Sequence, residues 1–199
     1  MSFNVLICGV GGQGIVLASR LVAVTAMNEG YTVNTAETIG MSQREGSVVS
    51  HVRFGNEIKG SLIPEGFVDV IVGFEPSEVL RNIKYLKKGG KIIMNSKGIF
   101  PVSKSNNYKP EKIIEYIIEN FNGTICMDFT KFAEELGNSK SLNVIMLGAL
   151  FYADFIPISF EKFLETVKNE IPEKYLSLNI SAAKKGAEEI SKFLEGKYE

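Results

Sequence analysis

The residues best suited to chemistry stand at the head of the chain. Gly9-Val-Gly-Gly-Gln-Gly14 follows the apolar run Phe3 to Cys8 without a spacer. Gly9, Gly11 and Gly14 fit G-x-G-x-x-G. In that pattern the first glycine permits a tight turn, the second lets backbone N–H groups approach a pyrophosphate, and the third lets a helix pack on a strand. With Gly12 the stretch removes side chains from a helix N-terminus, whose unsatisfied N–H groups and dipole attract an anion. Gln13 adds a neutral amide donor. The expected chemistry is the holding of a nucleotide-like anion; the plainer alternative is a tight strand-to-helix connection that binds nothing.

Four further residues belong with the turn. A dinucleotide site places an acid about 20 positions on, at the end of the second strand, to hold ribose hydroxyls. Glu37 is the nearest acid, but it reads as part of the polar stretch Thr35 to Gly46 and is equally suited to capping that loop. Gln43 and Arg44 bring an amide and a planar, fixed-charge fork suited to phosphate or carboxylate; the alternative for Arg44 is an ion pair with Glu45 or Glu37. Glu75, after Gly73-Phe74, either faces the ligand or caps the helix starting at Pro76. His51, the only histidine, reads as a surface or interface residue on an alternating strand, with no partners for a triad. Cys8 and Cys126 read as small core residues. No catalytic and no metal-ligating residue is assigned.

The elements that must position these residues follow from hydrophobic period and punctuation. Phe3 to Cys8 is a strand buried on both faces. Ile15, Leu17, Ala18, Leu21, Val22 and Thr25 recur at helical spacing up to a Gly30 cap, and Tyr31 to Thr35 is a second strand, completing a βαβ unit. Ser47 to Phe54 and Glu57 to Ile63 read as a β-hairpin across Gly55-Asn56. Asp69 to Phe74 returns to a buried strand. Pro76 to Leu86 is a helix ended by Gly89-Gly90, followed by the strand Lys91 to Asn95. Pro110 to Asn120 is a helix, Thr124 to Met127 a strand, and Asp128 caps a helix to about Leu136. Leu142 to Asp154, Ser159 to Asn169 and Pro172 to Leu194 read as helices. The fold class is therefore α/β: a doubly wound, mostly parallel, Rossmann-like sheet with a β-hairpin insertion and a helical C-terminal third. We expect one domain, with a sheet core over residues 1–140 and residues 141–199 packed on it.

Composition narrows the partners. Lys and Arg total 22 against 23 Asp and Glu, which gives no electrostatic reason to expect nucleic acid or an anionic membrane. Two cysteines cannot build a disulfide framework. No basic segment precedes the first strand, and no apolar run is long enough to span a bilayer. The expectation is a cytoplasmic protein.

Taken together, Gly9-Val-Gly-Gly-Gln-Gly14, Glu37-Thr-Ile-Gly-Met-Ser-Gln-Arg44, Ser47-Val-Val-Ser-His-Val-Arg53 and Gly73-Phe-Glu-Pro76 carry a resemblance. In this order and spacing the chain resembles the gamma-type domain of 2-oxoacid:ferredoxin oxidoreductases, most of all the beta subunit of the indolepyruvate type. Such chains usually carry Gly-Gly after the Gln-Arg pair; here Glu45 replaces the first glycine. The resemblance implies a subunit that binds no cofactor alone. A large partner would hold thiamine diphosphate and iron–sulfur clusters, ferredoxin would be reached through that partner, and a 2-oxo acid and coenzyme A would react at the shared interface. Left alone, the surface that meets the partner could support a homodimer. Two other readings stay open: a stand-alone nucleotide-dependent Rossmann oxidoreductase, and a regulatory nucleotide-binding module.

Overall fold

The structure, a computed structural model, describes residues 2–39, 46–99 and 108–196. Its central strand is β1 (Ser2–Val10). Val5 and Ile7 point into one hydrophobic layer, and Leu6 and Cys8 into the other. Strand residues alternate faces, so an unbroken apolar run requires helices on both sides of the sheet. Helix α1 (Ile15–Asn28) buries Ile15, Ala18, Leu21, Val22 and Ala26, as its helical period demands. It ends where Gly30 adopts a φ of 83°, a left-handed conformation that costs glycine little.

The remaining elements are β2 (Thr32–Ile39), β3 (Ser47–Gly55), β4 (Val68–Gly73), α2 (Pro76–Asn82), β5 (Leu86–Asn95), α3 (Pro110–Asn120), β6 (Thr124–Met127), α4 (Phe129–Glu135), α5 (Leu142–Tyr152), α6 (Phe160–Glu170) and α7 (Glu173–Glu195). The sheet order is β2-β3-β1-β4-β5-β6. Strands β1, β4, β5 and β6 pair in parallel. Strand β3 runs antiparallel to both β1 and β2. Helices α1 and α4 to α7 cover one face, and α2 and α3 the other. Among the described residues no helix is long and apolar enough to cross a membrane.

The sheet departs from the sequence expectation in four places. The antiparallel excursion exists, but Glu57 to Ile63 forms no strand. Both edges of β3 are already occupied, by β1 and β2, which leaves no edge for a hairpin partner. Side chains satisfy that segment instead. Arg53 donates through Nη1 to the carbonyls of Lys59, Gly60 and Leu62 at 3.0, 3.2 and 3.1 Å, and through Nε to Asn4 Oδ1 at 2.9 Å. His51 Nδ1 accepts the Ile63 N–H at 3.3 Å. His51 is thus a core residue, 5% exposed and edge-on to Tyr85, not a surface one. Secondly, β1 and β2 are not adjacent, because β3 lies between them. Thirdly, β2 runs on to Ile39, which takes Glu37 out of the loop. Fourthly, α2 stops at Asn82, a 3-10 turn spans Ile83–Tyr85, and Gly89-Gly90 lies inside β5 instead of ending the helix.

The C-terminal helices follow the expected pattern closely. Asp128 caps α4 by accepting the Lys131 N–H at 2.9 Å, and Ser159 caps α6. Helix α5 is buried from Leu142 to Phe151 because it lies between the sheet and α7. The two helices touch backbone to backbone: a Cβ on Gly148 would sit 2.1 Å from the Ala183 carbonyl oxygen, and one on Gly186 1.9 Å from that of Ile145.

Candidate ligand-binding edge of the sheet

The carboxyl ends of β1 and β4 meet at the glycine turn, where open α/β sheets receive ligands. Phe74 N–H donates to the Cys8 carbonyl at 2.8 Å and brings the two strand ends together. Gln13 locks the junction: its Oε1 accepts the Val10 N–H at 2.8 Å and its Nε2 donates to the Phe74 carbonyl at 3.0 Å. The Gln13 amide is therefore an internal brace; the free donor expected from the sequence is turned inward. Gly9 is required by close approach, since a Cβ there would lie 2.6 Å from Gln13 Oε1 and 2.7 Å from Phe74 Cβ.

The other glycines divide the work differently from the motif's usual roles. The Gly11 N–H donates to the Gly46 carbonyl at 2.8 Å, tying the turn to the start of β3; it is not free for a ligand. Gly12 is exposed, with a φ of 97° and open space where a Cβ would be. Gly14 occupies the N-cap position of α1 with a φ of 80°. Its carbonyl accepts the Asn143 Nδ2 at 3.3 Å. Helix α1 has no side-chain cap and no acid in its first turn, so its positive end is not neutralised by a carboxylate of its own first turn. Gly12 is exposed at that end, as are Val16 and Leu17 in the first turn of α1.

Glu37 lies on β2 opposite Ser50 of β3 and accepts a hydrogen bond from the Ser19 hydroxyl at 3.3 Å. Gln43 and Arg44, with Glu45, lie outside the described residues. Glu75 is 1% exposed and caps α2: its Oε2 accepts the Glu78 N–H at 3.1 Å and the Ser77 hydroxyl at 2.5 Å, while the Tyr108 hydroxyl donates to Oε1. Of the two sequence readings the cap is the one observed, and the carboxylate does not face an open site. Burial, helped by the neighbouring Glu75 carboxylate, raises the Tyr108 phenol above its ordinary range.

Sequence reasoning passed over the residues that hold this edge rigid. Glu78 is buried and accepts the Ser47 hydroxyl at 2.5 Å, linking α2 to β3. Asn95 donates to Thr130 Oγ1 at 3.0 Å and to the Phe74 carbonyl at 3.4 Å. Asn143 reaches Gly14 from α5. Its one visible signal was an amide inside an otherwise apolar run; the others carried none. Burial, then the charges of Glu78 and Glu75, drive the Cys8 thiol well above its usual value, and burial raises Cys126 to about 11. A raised thiol pKa lowers the thiolate fraction, the form that acts as a nucleophile. Cys8 on β1 and Cys126 on β6 are separated by β4 and β5, or ~14 Å at normal strand spacing. They do not fit a cluster ligand set, and no group of three or more candidate metal ligands occurs among the described residues.

The sequence profile of the family described as Pyruvate ferredoxin/flavodoxin oxidoreductase matches residues 4–189. The chain is 41% identical over 197 residues to indolepyruvate oxidoreductase subunit IorB of Pyrococcus horikoshii, covering 96% of this chain and 98% of that one. Among solved structures it superposes with a TM-score of 0.72 and 21% identity on the gamma subunit of a keto/oxoacid ferredoxin oxidoreductase from Geobacter sulfurreducens, covering 96% and 99% of the two chains. A 2-oxoglutarate:ferredoxin oxidoreductase from Magnetococcus marinus, solved with 2-oxoglutarate, coenzyme A and succinyl-CoA bound, gives a TM-score of 0.71 at 21% identity, with 96% of this chain matching 31% of that one.

Proposed function

Because this chain belongs to the pyruvate ferredoxin/flavodoxin oxidoreductase family, we propose that it serves as the cofactor-free subunit of an indolepyruvate-type 2-oxoacid:ferredoxin oxidoreductase. The observation that carries the reading is the near full-length likeness to IorB. The complex would convert a 2-oxo acid, coenzyme A and oxidised ferredoxin to acyl-CoA, carbon dioxide and reduced ferredoxin. Thiamine diphosphate in the large partner would supply the carbon nucleophile for decarboxylation, and its iron–sulfur clusters would take the electron pair on toward ferredoxin.

This chain's own share is binding and positioning. The uncapped start of α1 and the exposed Gly12 face outward, whereas Gly9, Gly11, Gln13 and Gly14 are committed to holding the turn's shape. A rigid, locally positive turn of this kind suits the phosphate end of coenzyme A arriving across the subunit interface, with Gln43 and Arg44 as additional donors. The buried Glu75 and Glu78 brace the edge from beneath. In isolation the same face supports a homodimer.

The reading as a stand-alone dinucleotide enzyme gains one point, since Glu37 lies on the second strand after all. It loses another, because β3 separates β2 from β1 and sets the acid ~10 Å away across the sheet. The test is reconstitution of the complex with Gly12→Ala or Arg44→Ala. We expect the KM for coenzyme A to rise about tenfold, the loss of one charge-assisted contact, with the KM for the 2-oxo acid unchanged. An unchanged coenzyme A KM in both variants would overturn the proposed contact, and failure of the chain to join a thiamine-containing partner would overturn the subunit assignment.

A further inference from the structure

Asn143 also borders a cavity whose lining includes none of Gly9 to Gly14. The cavity, of about 560 Å³, opens between α1, the start of α5 and the junction of α6 with α7. That volume is in the range of small-molecule pockets. Leu17, Leu21, Ile171, Tyr175 and Leu178 form its apolar wall.

Its polar end is unfinished. Ser141 occupies the N-cap position of α5 but makes no capping bond. The residue is 3% exposed, and its hydroxyl has no hydrogen-bond partner among the described residues. The hydroxyl opens onto the cavity that the residue lines, where a bound acceptor could pair with it. Lys140, the preceding residue, also lines it and has no ion pair among the described residues. The other cation of the lining, Arg20, is neutralised by Glu170 at 3.0 Å. The cavity therefore offers one uncompensated positive charge and one unpaired hydroxyl, set against a mostly apolar wall.

From this juxtaposition we propose that the cavity binds a small apolar monocarboxylate. The carboxylate would accept from the Ser141 hydroxyl and pair with Lys140, and the apolar body would lie against Leu17, Leu21 and Leu178. One net cation matches a single negative charge. The inference stands apart from the role of the glycine turn, which uses none of Lys140, Ser141 or Leu178.

The experiment is calorimetric titration of the full chain with phenylacetate, with phenylacetamide as its uncharged isostere and sulfate as a bare anion. We expect saturable one-to-one binding of phenylacetate, with phenylacetamide about tenfold weaker or worse. Lys140→Ala and Ser141→Ala should each weaken phenylacetate about five- to tenfold, the range of a hydrogen bond to a charged group, and Lys140→Ala should leave phenylacetamide unchanged. Lys140→Arg should restore the affinity. Both positions lie at a helix start, Lys140 exposed and Ser141 buried, and unchanged thermal unfolding of the variants will confirm that they are folded. Absence of saturable binding, equal binding of the amide, displacement by sulfate at equal concentration, or wild-type affinity in both alanine variants would overturn the proposal.

Discussion

The side-chain amide of Asn143 donates to the carbonyl of Gly14, its partner 129 residues earlier in the chain. Through this bond the C-terminal helices set the conformation of the N-terminal glycine turn. A Cβ on Gly14 would lie 2.5 Å from Asn143 Nδ2, so the close fit and the left-handed backbone act at one position. Gly14→Ala should therefore destabilise the protein by about 2 kcal/mol or more, combining backbone strain with a displaced amide. Gly12→Ala, at a φ of 97° with nothing near its Cβ, should show the backbone part alone, about 1 kcal/mol. Urea unfolding of both variants measures the difference, and adding Asn143→Ala to Gly14→Ala should recover part of the loss, a non-additivity expected of touching residues.

The contact between α5 and α7 predicts a larger effect. Gly148 and Gly186 face backbone carbonyls at distances no side chain can occupy. Either alanine substitution must push whole helices apart, and core overpacking costs typically 1–3 kcal/mol. We expect about 3 kcal/mol for each, since backbone cannot rotate away as a side chain can. Thermal unfolding of Gly148→Ala and Gly186→Ala checks this; a shift of under a degree would mean that the helices are not in backbone contact.

His51 makes stability depend on pH. Burial first, and the nearby Arg53 charge second, lower its pKa from the ordinary 6.5. A depressed value means that the unfolded chain takes up the proton more readily than the folded one. The contribution of His51 is therefore fully present above about pH 6.5 and is lost as pH falls through the lower native value. Protonation also removes the Nδ1 acceptor from the Ile63 N–H. The unfolding midpoint should fall with acidification in that window, and His51→Gln should flatten the fall.

Arg53 organises the segment after β3. Its guanidinium bonds three carbonyls between Lys59 and Leu62, and Arg53→Ala should cost about 2 kcal/mol. Hydrogen exchange would show the loss concentrated in residues 57–63, with β1 and β3 keeping their protection. Arg53→Lys should recover only part of the loss, because an ammonium has one nitrogen and cannot hold Asn4 Oδ1 and the loop carbonyls from two separate nitrogens as Nε and Nη1 do.

The sequence by itself determined the layered α/β class, the glycine turn, the capping role of Asp128 and nearly every C-terminal helix boundary. These depend on local period, capping chemistry and glycine conformation, all written within a few residues. Tertiary structure alone decided that β3 enters the sheet between β2 and β1, because strand order depends on which edges remain open and not on the strand's own pattern. The same edge competition removed the expected hairpin and left Arg53 and His51 to satisfy the backbone of Glu57 to Ile63. It also decided which turn residues are braced inward. Gln13, Gly11 and Glu75 looked like ligand groups because each carries or exposes a donor or acceptor. Their partners, Phe74, Gly46 and Tyr108, lie 33 to 61 residues away, and pairing at that distance is set by how the layers pack.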